Sequence, residues 1–188
     1  MKNVDTRIQV TKTLLHQAIL DILREKPIDR VTVKELVDRA GLNRGTFYLH
    51  YNTPHDVLKE IENDFIAQNM EYFDTYWLGG KYVSAMERVF TCILQNKELC
   101  SILMGDNGDP QFLISMGMLC RDSVIGEWKR EYPACGRQEL EFLFDFVFPG
   151  STRLILSWIE DDRGLSGAEF ARRLERLGHY CLVAATGF

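Results

Sequence analysis

An all-α fold follows from three observations. Apolar residues recur at three- and four-residue spacing along nearly the whole chain, capping and breaking residues punctuate those runs, and no strand-like alternation competes with them. The length of 188 residues suits one medium domain or two small ones sharing a core. Hydrophobic residues at 46% and charged residues at 26% are those of an ordinary globular protein.

The first helix is expected from about Asp5 to Glu25, carried by Ile8, Leu15, Ala18, Ile19 and Ile22 and stopped by Pro27. The second announces itself through local chemistry. Thr32 is placed as N-cap and Glu35 as its reciprocal partner, a capping box; Val31 and Leu36 flank them as a hydrophobic staple. Val33, Leu36, Val37 and Ala40 form one apolar stripe, and Gly41 offers the left-handed terminating position. A short third helix over about Arg44 to Tyr51 follows at once, with Asn43 as N-cap and Leu42 and Phe47 as a second staple. The fourth starts at Thr53 (cap), Pro54 (first turn) and Asp56 (at the positive helix end) and runs to about Tyr76.

Five longer helices complete the expectation: about Lys81–Gln95, Lys97–Met104, Pro110–Tyr132, Gln138–Glu160 and Ser166–Ala185. Asp109-Pro110 opens the third of these. Leu165-Ser166-Gly167-Ala168-Glu169-Phe170 opens the last with another capping box and staple. Pro149-Gly150 sits inside the fourth and is expected to kink or break it.

Composition narrows the function. Runs free of acidic and basic side chains, such as Pro110 to Cys120, are too short to span a bilayer, and Lys2, Asp5 and Arg7 precede any apolar run, unlike a signal peptide. Cys92, Cys100, Cys120, Cys135 and Cys181 are odd in number and widely spaced, which reads as reduced structural thiols in a cytoplasmic protein, with redox sensing as the lesser alternative. His16 and His179 stand alone on helices, and His50 and His55 are not at ligand spacing, so no metal or cofactor is expected. The net charge of −5 is unevenly spread. Residues 1–55 carry nine Lys/Arg against six Asp/Glu, whereas residues 56–188 carry thirteen against twenty-one. A mildly basic head on an acidic body concentrates affinity for phosphate in the head.

Two short helices joined by Gly41-Leu42 have the geometry of a helix-turn-helix, whose second helix puts its N-terminal residues into the major groove. With Phe47 and Tyr51 turned inward, the outer face carries Arg44, Gly45, Tyr48 and Leu49, flanked by Thr46 and His50. Arg44 can address guanine O6 and N7 in bidentate fashion. Gly45 lets the backbone approach a base closely. Thr46, Tyr48 and His50 can donate to phosphate oxygens, which position without specifying. At the opening of the second helix, Thr32, Val33 and Lys34 bring backbone N–H groups, a hydroxyl and an ammonium to where an anion binds well.

The run from Thr32 to Tyr51, with Ala40-Gly41, Asn43 as the small polar residue, Gly45-Thr46, Tyr48, and His50-Tyr51, resembles the DNA-binding signature of the TetR/AcrR family of transcriptional regulators. With its flanking helices the resemblance covers about residues 5–65. It implies double-stranded DNA with a pseudo-palindromic operator as partner, residues 1–54 as the DNA-binding domain, and residues 55–188 as a helical regulatory and dimerisation domain. One departure stands out. The family usually has a phosphate-contacting lysine at the start of the fourth helix, where this chain has Pro54; the contact is lost or falls to His55. Leu103 to Phe112, and Phe148-Pro149-Gly150 leading to Trp158-Ile159-Glu160, look like one Gram-positive branch of TetR-like C-terminal domains, which usually has two glycines at 149–150.

The resemblance also implies a two-fold dimer through the last two helices, about 138–160 and 166–185. The apolar stripes Leu140, Leu143, Phe144, Val147, Leu154, Ile155, Trp158 and Phe170, Leu174, Leu177, Cys181 suit that role. It further implies a small-molecule cavity lined by some of the large side chains between Phe65 and Trp158, against which stands the plainer reading of a packed core. Three functions are therefore weighed: a repressor released by a small-molecule inducer, an activator or co-regulator whose C-terminal domain binds a protein, and an enzyme. No nucleophile elbow, phosphate loop or acid/base pair supports the last.

Overall fold

The structure, a computed structural model, describes residues 2–77, 94–161 and 164–186. Its helices are α1 (Lys2–Leu23), a 3-10 turn (Ile28–Arg30), α2 (Val33–Ala40), α3 (Arg44–Tyr48), α4 (Pro54–Trp77), α5 (Lys97–Met104), α6 (Pro110–Glu131), α7 (Arg137–Glu160) and α8 (Gly167–Thr186). The helix expected over Lys81–Gln95 falls almost wholly outside the described residues, as do the side chains of Tyr72, Phe73, Tyr76, Trp77, Tyr82, Met86 and Phe90 expected for a cavity.

The chain forms two compact units. The first joins Met1–Ala67 to Ile102–Phe112; the second joins Gln68–Ser101 to Leu113–Phe188. In the first unit α1 packs on α2 and α2 on α3. Leu15, Ile19, Ile22, Leu36, Phe47, Val57 and Leu58 are its fully buried centre. Burying each such side chain contributes roughly 1.5–3 kcal/mol.

The segment 102–112 completes this unit. Asn107 Nδ2 donates to the Leu23 carbonyl at the end of α1 (2.9 Å), and the Asn107 carbonyl accepts from Ile28 N (3.0 Å). Phe112 is fully buried and meets Phe65 edge to face, with centroids 6.2 Å apart. A Cβ at Gly108 would lie 2.5 Å from the Leu103 carbonyl oxygen and 2.7 Å from that of Ile102, so only glycine lets the turn close.

In the second unit Val124, Ile125, Trp128, Leu140, Leu143, Phe144 and Leu182 make one core, with Cys135 and Cys181 half-buried against it. Cys135 and Cys181 are free thiols, and Cys100 is fully buried. Arg121 and Arg137 pair with Asp122, Glu141 and Asp145 along α6 and α7. Of the described helices, α7 alone has the length and apolar content to cross a bilayer, yet its Leu140, Leu143 and Phe144 are taken up in that core. The capping box of α8 is complete: Ser166 N donates to Glu169 Oε2 (3.0 Å) and Glu169 N to Ser166 Oγ (3.3 Å). Phe170 stacks on Trp158 at 5.0 Å.

Two expectations need correction. Of the kink or break expected at Pro149, the break does not occur: α7 runs unbroken to Glu160, and the Phe148 carbonyl accepts from Thr152 Oγ1 (3.0 Å). The apolar stripe assigned to dimer contacts is mostly internal. Leu140, Leu143, Phe144, Trp158, Phe170 and Leu174 are buried within the chain, and the outward apolar side chains are Phe142 (73% exposed), Phe146 (68%), Leu154, Leu177 and Tyr180.

Candidate nucleic-acid interface

The helix-turn-helix is built by its caps. Thr32 is the N-cap of α2 in extended conformation, its hydroxyl accepting from Glu35 N (3.3 Å). The reciprocal half of the expected box is diverted: Glu35 Oε2 accepts from Lys26 Nζ at 2.6 Å instead. Gly41, at φ 68°, ends α2 in the left-handed region that side chains disfavour. Asn43 caps α3, its Oδ1 accepting from Thr46 N (2.8 Å) and Thr46 Oγ1 (3.2 Å). A Cβ on Gly45 would press that capping oxygen at 3.2 Å, so glycine protects the cap as well as baring the backbone. The α-helix proper is shorter than expected, closing at Tyr48; Leu49 and His50 form a turn before Tyr51.

The outer face emerges where the sequence places it. Arg44, Gly45, Tyr48 (58% exposed) and Leu49 (79%) are exposed, and Thr46 and His50 are half-buried at its edges. Phe47 is fully buried and Tyr51 nearly so. At the mouth of α2, Asn43 on α3, Thr32 and Lys34 are exposed and Val33 is half-buried. A shallow groove lined by Thr32, Lys34, Glu35, Asp38 and Arg39 runs along α2. Leu49 is a large apolar side chain left in water, which a thymine methyl could cover.

His55 is less free. It lies exposed on α4, its Nε2 3.1 Å from Asp29 Oδ1 on the 3-10 turn, so a phosphate there would compete with a carboxylate. The start of α4 itself is firmly made: Asp56 Oδ2 accepts from Asn52 N (2.8 Å) and Thr53 N (2.9 Å). The backbone bond from Thr53 leads in holding the Asp56 carboxyl below the usual range. Pro54 is buried in the first turn, where its missing N–H costs nothing.

Sequence reading missed the group behind α3. Tyr51 Oη donates to Glu60 Oε2, Lys12 Nζ donates to Glu60 Oε1 (2.6 Å), and His16 Nε2 lies 3.2 Å from the same tyrosine oxygen. Partial burial works against the Glu60 carboxylate, but the hydrogen bonds from Lys12 and Tyr51 outweigh it and keep its pKa below the ordinary value. Burial pulls His16 below its ordinary value against the pull of Glu60 and Asp64. The Tyr51 phenol is pushed well up, by burial first and then by Glu60. These residues are 35 and 48 positions apart, so no local pattern shows them.

Residues 82–180 match the model described as transcriptional regulator C-terminal region, and residues 15–61 match that of bacterial regulatory proteins, tetR family. The chain belongs to the TetR family. Among curated relatives, 55 residues are 26% identical to the uncharacterized HTH-type transcriptional regulator YvdT of Bacillus subtilis (strain 168), covering 29% of this chain and 28% of that one. Another 48-residue match is 29% identical to YxbF of the same organism, described in the same words, covering 26% of this chain and 13% of the relative. The matches thus span under a third of those relatives' length. A TetR transcriptional regulator from Streptococcus agalactiae 2603V shares the fold at TM-score 0.69 and 22% identity over 98% of both chains. The dihydroxyacetone kinase operon activator DhaS does so at 0.57 and 19%, over 93% of this chain and 97% of that one. The chain thus has the all-α, two-part architecture of this family, and the tetR-family match over residues 15–61 lies on its helix-turn-helix.

Proposed function

We propose that the protein is a dimeric, sequence-specific repressor acting in the cytoplasm, with residues 1–54 as its DNA-contacting head. In this reading residues 55–188 dimerise and bind a small molecule that releases the DNA. The observation that carries the first part is the outer face of α3, where Arg44, Gly45, Tyr48 and Leu49 stand in water beside a firmly capped helix start. Arg44 reads a guanine edge; Thr32, Val33, Lys34, Asn43, Thr46, His50 and His55 surround it with phosphate-directed groups. Two copies related by a two-fold axis present α3 to half-sites about 34–36 Å apart, or one further turn, on a pseudo-palindromic operator. The outward apolar side chains of α7 and α8 supply the surface for that pairing, with Phe142 and Phe146 one helical turn apart.

Release by a ligand requires only that it bind one arrangement of the two domains better than the other. A second reading, activation through a protein partner, is favoured by the fold shared with an operon activator and by Ile114, Met118 and Leu119, which leave an apolar strip exposed on α6.

Selection of duplexes from a random-sequence library, followed by footprinting, tests the proposal. The expected result is an inverted repeat protected on two successive major-groove faces. Arg44→Ala then relaxes preference at one base per half-site, by roughly 1–3 kcal/mol, while Lys34→Ala weakens all duplexes alike and flattens the salt dependence. Unchanged base preference after Arg44→Ala would refute the assignment.

A further inference from the structure

With five residues, α3 is too short to hold its own conformation, and its placement depends on what grips it. Phe47 grips one side. The other anchor is Tyr51, three residues beyond the helix end, whose ring centroid lies 5.9 Å from that of Phe47. Its hydroxyl has a single proton, given to Glu60 Oε2 of α4. The approach of His16 Nε2 to the same oxygen at 3.2 Å therefore requires His16 to donate, which fixes the neutral ring as its Nε2–H tautomer. Lys12, on α1 like His16, holds the second Glu60 oxygen and lies 5.8 Å over the Tyr51 ring. Four side chains thus close a ring joining α1, α4 and the exit of α3, with Asp64 of α4 adding charge nearby. The Tyr51 hydroxyl has work here because Glu60 and His16 both meet it.

We propose that Glu60 is a positioning residue for DNA reading: by accepting from Tyr51 and Lys12 on its two oxygens, it fixes the angle of α3 and so the register of Arg44 against the bases, without touching DNA. This rests on the reading that α3 enters the groove. The lever is long enough to matter. Arg44 and Tyr51 are seven residues apart, about 10 Å at helical rise, so a tilt of about 10° at the anchor moves Arg44 by about 2 Å. Hydrogen bonds to a base edge tolerate only a few tenths of an ångström around their 2.7–3.2 Å span.

The test compares wild type, Tyr51→Phe, Glu60→Gln and the double variant. Each is titrated against a fluorescein-labelled duplex that the wild type selects from a random library, and against a scrambled duplex of equal length and composition. Each single change is expected to lower the selected-to-scrambled affinity ratio roughly fivefold to tenfold, with scrambled binding unchanged. The double variant falls no further than the worse single one, because the Tyr51 hydroxyl acts through Glu60. A general loss of folding would weaken both duplexes together and leave the ratio alone, and that result overturns the proposal. So does a double variant in which the two effects multiply. Tyr51→Phe deletes one oxygen, keeps the packing, and carries the test alone if Glu60→Gln fails to fold. A wild type that selects no duplex overturns the groove reading, and the proposal with it; a wild type that selects while both variants keep its ratio overturns the role of Glu60 alone.

Discussion

Glu62 is the sharpest place to perturb this molecule. It lies on α4 with 0% of its surface exposed, the one buried charged residue among the described residues. Oε2 accepts from Lys59 Nζ at 3.2 Å, whereas Oε1 finds no hydrogen-bond partner. Lys59 is itself largely exposed, so its charge is shared with solvent and compensates little. An unsatisfied buried acceptor costs about 1–3 kcal/mol, and replacing a buried ion pair with an apolar residue of similar shape is often stabilising by a similar amount. Glu62→Met, which keeps the volume and discards both oxygens, is therefore expected to raise the unfolding free energy by about 1–3 kcal/mol near pH 8. That corresponds to about 2–4 °C in Tm per kcal/mol for a chain of this size.

The pH dependence follows from the same burial. Desolvation lifts the Glu62 pKa above its ordinary 4.5, with Asp109 adding to the lift and Lys59 opposing it. A carboxyl whose folded pKa is raised holds its proton longer in the folded state. Its contribution is complete below 4.5 and is lost as pH rises through the folded value. Urea unfolding of wild type and Glu62→Met at pH 5 and pH 8 should show a gap that widens at pH 8. A variant less stable than wild type at pH 8, or an equal gap at both values, would show that the Lys59 pair outweighs its desolvation and would refute the reasoning.

Three further outcomes are expected. Asn43→Ala removes the oxygen that receives Thr46 N and should cost about 1 kcal/mol in chemical denaturation, with a matching loss of operator binding at temperatures near the midpoint. Phe142→Asp with Phe146→Asp places carboxylates on the outward face of α7; analytical ultracentrifugation should then find a monomer with unchanged helical circular dichroism. His16 has its folded pKa below the ordinary 6.5, so its stabilising share is present above 6.5 and disappears as pH falls through the folded value. Melting of His16→Gln should accordingly fall less than wild type between pH 7 and pH 5.

The elements of the head were legible because their signals are local. Thr32, Gly41, Asn43 and Thr53 act within four residues of themselves, and each caps or ends a helix where the chain says it should. What failed was every case in which a distant group outbid a near one. Glu35 left its box for Lys26, because a charged partner brought close by tertiary folding offers a stronger bond than an exposed backbone amide. The α7 stripe misled for another reason. That helix is apolar on two sides, and periodicity selects the side that faces the core: Leu140, Leu143 and Phe144 lie inward, while Phe142 and Phe146 escape the pattern. The family signature reaches Tyr51 but not the groups that hold it, since Lys12, His16 and Glu60 belong to no motif.

The grip of Asn107 on the end of α1 bears on how far the head can stand alone. Both of its bonds are made with main-chain groups, the Leu23 carbonyl and the Ile28 amide, and the buried Phe112 five residues on covers Phe65. A fragment cut after Ala67 would leave α1 with a frayed tail and an aromatic ring bared to water. The N-terminal unit thus includes residues 102–112, and a graft of it onto another scaffold has to bring them along.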